Sequence, residues 1–290
     1  MARNNSSRTS APEPEQPAVA AAQAAATQEQ EKSGLSYVVP TEFATLPSRG
    51  RYYPEEHPLH NKEVVEIRHM TAKDEDILTS RALIKNGLAI ERLLQNLIVD
   101  RSIDPNSLLV GDKNAVLVEA RIHAYTADYE TRVTCPACAA NQTNNFDLRE
   151  VQHIHGDNWG DLEIEGPDDK SHFIITLPKT KAKVEVKLLN GYDEKMVMKI
   201  IENRRANRLA EAPVISQIKT FIVSINGYTN RSEIGRFVDN MPTLDSHHLR
   251  VCYNKLVPNI DMTLPLVCGE CGTESRLEVP FTADFFWPNR

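Results

Sequence analysis

The apolar positions of this chain change period several times, and each change predicts an element. Lys183, Glu185 and Lys187 alternate with Val184, Val186 and Leu188, the period-two pattern of a strand with one face in a core and one in water. With His172 to Leu177 before it, this predicts a β-hairpin. Elsewhere the period is helical. Thr71, followed by Asp74 and Glu75, opens a capping-box start to a helix running to about Lys85, and Leu88 to Val99 follows with Leu93, Leu94, Leu97 and Ile98 on one side. Asn86-Gly87 marks the turn between them. A third helix begins near Asp112 or Lys113 and carries Val118, Ile122 and Tyr125 on a stripe. Asp193 to Val257 reads as helical throughout. In it Met196, Ile200 and Ile201 line one helix, and Ile215, Ile218, Ile222 and Ile225 line the next. Asn226-Gly227 ends that helix, and shorter helices follow near Ser232 to Asp239 and Leu244 to Val257.

Where periodicity is missing, composition takes over. Residues 1–34 are rich in Ala, Gln, Glu, Ser and Pro without a buried face, which predicts a disordered tail. Residues 35–70 carry prolines at 40, 47, 54 and 58, so they form an extended arm with turns, ending in a short strand around Val64 and Ile67. Tyr52, Tyr53 and the arginines there serve either as interface anchors or to pin the arm to its own domain. Residues 71–134 are a helical segment, 135–150 a cysteine knuckle, 151–258 an insertion holding the hairpin and further helices, and 259–290 a second knuckle with the aromatic C-terminus Phe281, Phe285, Phe286, Trp287.

The knuckles supply the candidate chemistry. Cys135-Pro136-Ala137-Cys138 and Cys268-Gly269-Glu270-Cys271 are two CxxC pairs with 129 residues between Cys138 and Cys268, each flanked on both sides by strand-like sequence. Two such turns facing each other offer four thiolates to one tetrahedral ion, with Zn2+ as the expected occupant. The same four sulfurs could instead hold an iron–sulfur cluster, form reversible disulfides, or be the remnant of a site that has lost its metal. Four closed ligands leave no position for substrate, so Cys135, Cys138, Cys268 and Cys271 predict a structural metal centre. The fifth cysteine, Cys252, lies at helical spacing from Leu249, Tyr253 and Leu256 and belongs to a core.

Charge and length narrow the picture further. The 290 residues are 41% hydrophobic and 25% charged, enough for a sizeable core, and the net charge of −7 gives no bulk attraction to nucleic acid. No apolar run approaches the ~18 residues of a membrane span. Ala18 to Ala26 lacks the basic start and leucine-type core of a signal peptide, so synthesis in the cytosol is expected, where paired cysteines favour metal over disulfide. His57 and His60 in the proline-rich arm and His153 and His155 on a strand-like edge read as exposed loop histidines, although His153 with His155 could make a secondary metal pair; His247 and His248 sit early in a helix and add nothing more specific. Asp74, Glu75 and Asp76 cap a helix, and Lys199, Arg204, Arg205 and Arg208 form a solvated basic helix end. There is no phosphate-cradling GxxxxGK, no GxGxxG after a strand, no GxSxG elbow and no HExxH, and no nucleophile, base and orienting partner stand together. An enzyme is not expected.

The order of several short motifs resembles a known family. Leu46-Pro47-Ser48-Arg49-Gly50 with Tyr52 and Tyr53 comes first. Val64 to Met70 then leads into Thr71-Ala72-Lys73-Asp74-Glu75-Asp76-Ile77-Leu78, and Asp100 to Asp104, Leu108-Leu109, Gly111-Asp112, Arg121 and Tyr129 lead into Cys135. Together with Cys268 to Cys271 and Val279-Pro280-Phe281, they resemble the baseplate hub and hub-assembly proteins of T-even-like contractile-tailed bacteriophages. The resemblance covers about residues 35–290 and is strongest over 46–138. It implies a structural or assembly protein of a tail baseplate, working by contact with other baseplate or hub proteins, in the host cytoplasm during assembly and in the virion tail. It carries no catalytic residues.

The fold expected is therefore α+β: a zinc-ribbon-like two-knuckle β element, a mainly helical body with a β-hairpin, and a disordered N-terminal tail. The extended arm and the aromatic C-terminus are the expected contact surfaces. The alternative reading is a zinc-ribbon regulator of phage development that binds nucleic acid.

Overall fold

A computed structural model describes residues 38–160, 162–208, 212–279 and 283–286. The chain separates into two units, Met1–Pro40 and Thr41–Arg290. The expected disordered tail, and Pro280, Phe281 and Trp287 of the C-terminus, lie outside the described residues. The α+β class stands: helices are mixed with small antiparallel sheets.

The arm is more structured than its prolines suggest. Strand β1 (Thr41–Thr45) pairs antiparallel with β2 (Val64–Arg68) in the register Thr41↔Arg68, and the turns of residues 46–63 fill the gap. Gly50 is required there. Its φ is +70°, and a Cβ would stand 2.3 Å from the Lys62 nitrogen. Tyr52 and Tyr53 are buried, so they pin the arm to its own domain and are not interface anchors.

Three helices follow: α1 (Ala72–Thr79), α2 (Arg81–Lys85) and α3 (Ala89–Leu97). The single helix expected over 71–85 is broken at Ser80, whose extended backbone ends α1 and whose hydroxyl accepts the Leu83 N–H. Helix α3 buries Ala89, Leu93, Leu94 and Leu97. Helix α4 (Val110–Ala124) packs against β1, β2 and β10 (Asn259–Asp261), the last so closely that a Cβ on Gly111 would lie 2.0 Å from the Pro258 carbonyl.

Beyond the first knuckle, a four-stranded antiparallel sheet has the order β6 (Ile164–Glu165), β7 (His172–Thr176), β8 (Lys183–Lys187), β9 (Ile222–Ile225). Phe173, Ile175, Val184 and Val186 are fully buried on one face. The other face carries polar bonds across strands: His172 Nδ1 is 2.8 Å from Glu185 Oε1, and the Ser224 hydroxyl donates to Glu185 Oε2 at 2.6 Å. The hairpin expectation holds, but the third long strand was read as helix. Helix α6 (Pro213–Phe221) ends before Ile222, and Ile222 to Ile225 join β8. The spacing of Ile215, Ile218, Ile222 and Ile225 continues across the change of structure because a buried strand and a buried helix turn can share those positions. Asn226 and Gly227, both at positive φ, then make the tight turn closed by Ile225 and Tyr228, so they end a strand and not a helix.

Helix α5 (Gly191–Ala206) was expected to bury Met196 and Ile200. They are instead 48% and 37% exposed, beside the exposed Tyr192 and Met198. The helix is held at its start by the Asn190–Asp193 capping box, Lys187 on Asp193 at 2.7 Å, and Lys195 on Glu91 at 2.6 Å. Its apolar stripe marks a face without saying what covers it. Helices α7 (Arg231–Asp239) and α8 (Thr243–Leu256) follow. In α8, Leu249, Cys252, Tyr253 and Leu256 are buried, and Tyr253 stacks on Phe221 at 4.0 Å. Cys252 is a core residue.

Two further hairpins frame this body. β3 (Asp128–Thr134) pairs with β4 (Asn141–Asp147), and β11 (Thr263–Val267) with β12 (Glu274–Glu278). β5 (Gln152–Ile154) pairs with β10, drawing the segments beside the two hairpins together. Phe285 and Phe286 are buried, so the described C-terminal aromatics belong to the core and are not the contact surface expected of them.

Candidate metal centre

Each CxxC pair sits at the tip of its hairpin, and the two tips are built alike. In the first, Cys135 N–H donates to the Ala140 carbonyl at 2.9 Å and Ala139 N–H to the Cys135 carbonyl at 2.9 Å. In the second, Cys268 N–H donates to Thr273 at 3.0 Å and Gly272 N–H to Cys268 at 2.9 Å. The residue after each second cysteine, Ala139 or Gly272, has positive φ, 59° and 69°. That left-handed step turns the chain so that both sulfurs of a pair point the same way. Cys135 and Cys268 are buried; Cys138 and Cys271 are exposed.

The two tips face each other across long sequence distances. Cys135 Sγ lies 3.9 Å from Cys271 Sγ, Cys138 Sγ lies 3.7 Å from Cys268 Sγ, and all four sulfurs fall within 4.8 Å of one another. Those separations are far beyond a disulfide bond of about 2.05 Å, and all four thiols are free. A tetrahedron with metal–sulfur arms of ~2.3 Å has edges of about 3.8 Å. The cluster is therefore compatible with a metal ion at its centre.

Gln142 on β4 fastens the tips: its Nε2 donates to the Val267 carbonyl at 3.2 Å, and its Oε1 accepts the Gly269 N–H at 3.0 Å. No sequence signal marked it. The thiols are electrostatically unequal. The Thr273 hydroxyl and N–H pull Cys271 down to about 6, and the N–H groups of Cys138 and Ala137 lower Cys135. The Ala140 N–H favours a thiolate at Cys138, yet the neighbouring cysteines push it up to about 12. Four sulfurs this close cannot all ionise without a cation among them.

The profile of a protein family, described as T4 bacteriophage base plate protein, matches residues 43–287. The chain belongs to that family. No curated protein and no solved structure matches it. Membership in the base plate family points to a structural or assembly role in the phage tail baseplate, among other baseplate proteins, and to a non-enzymatic one. Among the described residues, no helix is long and apolar enough to cross a membrane.

In this base plate protein the motif residues 46–53 and 111–121 turn out to be buried polar joints. Ser48 donates through its N–H and hydroxyl to the two oxygens of buried Asp112, at 2.9 and 2.5 Å; Tyr53 OH donates to Asp112 Oδ2 at 2.7 Å and accepts the Leu109 N–H at 3.0 Å. Burial raises the Asp112 carboxyl against these three donors. Arg121 donates to the Phe285 and Thr126 carbonyls, both at 2.7 Å, and to that of Asp128 at 3.4 Å. Asp74 takes both guanidinium nitrogens of Arg68, at 2.8 and 2.9 Å, and the Thr71 N–H at 2.8 Å. It caps α1, as the sequence suggested.

The paired histidines are built into the fold as well. His57 stacks on Tyr53 at 4.4 Å, and its Nε2 lies 2.7 Å from the Ser107 hydroxyl. His60 Nδ1 is 2.6 Å from the Tyr53 carbonyl. His155 Nδ1 is 2.8 Å from the Pro47 carbonyl, while His153 sits half-buried on β5. None of these four is an exposed loop histidine, and His153 and His155 join no metal-type cluster among the described residues. Lys199, Arg205 and Arg208 are exposed at the end of α5.

Proposed function

We propose that this protein is a hub or hub-assembly component of the phage tail baseplate, acting by protein–protein contact on a scaffold closed by one structural Zn2+. Cys135, Cys138, Cys268 and Cys271 would hold the ion as two ribbon knuckles, and a closed set of four thiolates assigns it to folding, not to catalysis. The zinc reading rests on the match between the 3.7 and 3.9 Å sulfur separations and the edge of a zinc–thiolate tetrahedron. The baseplate reading rests on the family match over residues 43–287, which also favours it over a nucleic-acid regulator.

With the tyrosines of the arm and Phe285 and Phe286 buried, the contact surface moves to α5, where Tyr192, Met196, Met198 and Ile200 are exposed along one helix. Another baseplate protein is the proposed occupant. The experiment is complementation of a phage lacking the gene. The double variant Met198→Glu, Ile200→Lys should leave melting temperature and metal content unchanged but stop incorporation into baseplates, seen by electron microscopy and by mass spectrometry of tails. Normal baseplates from phage lacking the gene altogether would overturn the assignment, and normal assembly with the double variant would overturn the α5 surface.

A further inference from the structure

A second cluster of metal-type ligands lies where the β1–β2 hairpin packs on α4. Glu42 is the second residue of β1, His69 follows the end of β2, and Glu119 and His123 are one turn apart on α4. Pairing of Thr41 with Arg68 brings residues 42 and 69 to the same end of the hairpin, and α4 packs across it. The result joins three parts of the chain that no spacing motif connects. One ligand atom from each of Glu42, His69 and His123 lies within 4.8 Å of the others.

The contacts inside the cluster are incomplete without a further group. His69 Nε2 is buried and has no hydrogen-bond partner, and its nearest acidic oxygen, Glu42 Oε1, is 3.8 Å away. His123 Nε2 and Glu119 Oε2 are 3.5 Å apart, also long for a hydrogen bond. The two imidazole rings are 5.3 Å apart and tilted by 32°, too far and too oblique to satisfy each other. A buried ring nitrogen without a partner is destabilising, so the arrangement calls for an occupant.

We propose that Glu42, His69 and His123 bind a divalent transition-metal ion of the zinc class, with Glu119 positioning His123. Two imidazoles and a carboxylate are borderline ligands that suit zinc and its neighbours, whereas calcium and magnesium take oxygen sets. Glu119 and His123 at i,i+4 give the helical half of the site, and the carboxylate behind an imidazole is the usual orienting partner of a metal-binding histidine. Glu42 is about half exposed and can swing inward to shorten the ligand separations. Once bound, the ion would staple the β1–β2 hairpin to α4, the helix that delivers the chain to the first cysteine hairpin.

Zinc analysis of the full-length protein after exhaustive equilibrium dialysis tests this, alongside the absorption of Co2+-loaded protein as a report on thiolate ligation. Wild type should hold about two ions, and His69→Gln and His123→Gln about one each with the thiolate–cobalt band unchanged. Glu42→Gln, at an exposed position that folding tolerates, should weaken the second ion at least about tenfold. If wild type holds about one ion, lost in Cys268→Ser and untouched by the histidine variants, the proposal is wrong. If that single ion is lost in the histidine variants and kept in Cys268→Ser, this site stands and the thiolate centre falls.

Discussion

The cysteine tips and the Asp112 joint both tie together residues far apart in sequence, yet by opposite physics. At Asp112 every donor and acceptor finds its partner inside the protein: Ser48, Tyr53 and the carboxylate complete one another in a dry interior. At the tips, two of the four cysteines are exposed, and four potential anions have only the Thr273 hydroxyl and a few backbone N–H groups to hold them. The first joint is complete as a protein. The second is compatible with an ion at its centre, and under the proposed zinc reading it would be opened or closed by chemistry outside the chain.

The largest effect should come from Cys268→Ser. It removes a buried thiolate and, with it, the ion, which should cost several kcal/mol, roughly 5 or more, with chelators producing a similar loss in wild type. Thermal unfolding with and without chelator measures both. Asp112→Ala should cost about 3 kcal/mol by stranding the Ser48 and Tyr53 hydroxyls, and chelator should not change that difference. Should the Asp112→Ala penalty vanish in chelator, the two joints are one cooperative unit and do not act independently.

pH separates the buried acids in another way. Arg68 and Thr71 outweigh the desolvation of Asp74 and hold its carboxyl below the usual range, so its contribution is present above about pH 3.9 and fades as pH falls through the lower folded value. Asp112 is shifted upward by burial. Its folded state therefore favours the proton, and its contribution is full below about pH 3.9 and lost as pH rises through the raised value. Denaturant unfolding from pH 3 to 7 should show the penalty of Asp74→Asn growing with pH and that of Asp112→Asn shrinking. Parallel slopes would contradict the account of Asp112. The smallest effect belongs to Gln142→Ala, about 1 kcal/mol for its two exposed hydrogen bonds, with metal content retained.

Much of this was legible from residues alone because the signals were local. CxxC spacing with strand-like flanks located both tips, and the alternation around Val184 located the central hairpin. Strand β9 was hidden because Ile222 and Ile225 keep a helical interval while pairing with β8. Helix α5 was found but its stripe was assigned to the core, since periodicity reports a face and not its cover. Ser48, Asp112 and Arg121 were visible as motif letters, but their meaning depends on partners 64 or more residues away for Ser48–Asp112 and 164 for Arg121–Phe285. The Glu42, His69 and His123 cluster left no trace, because hairpin register and helix packing create it.

Absorption spectroscopy of the full-length protein loaded with Co2+ tests the thiolate centre most directly. Ligation by four cysteines predicts an intense thiolate-to-metal band, present in wild type and in His69→Gln, lost in Cys268→Ser, and accompanied by protection of Cys138 and Cys271 from alkylation although both are exposed. Absence of that band, with those two cysteines alkylated equally fast with and without metal, would contradict the claim that an ion closes the fold.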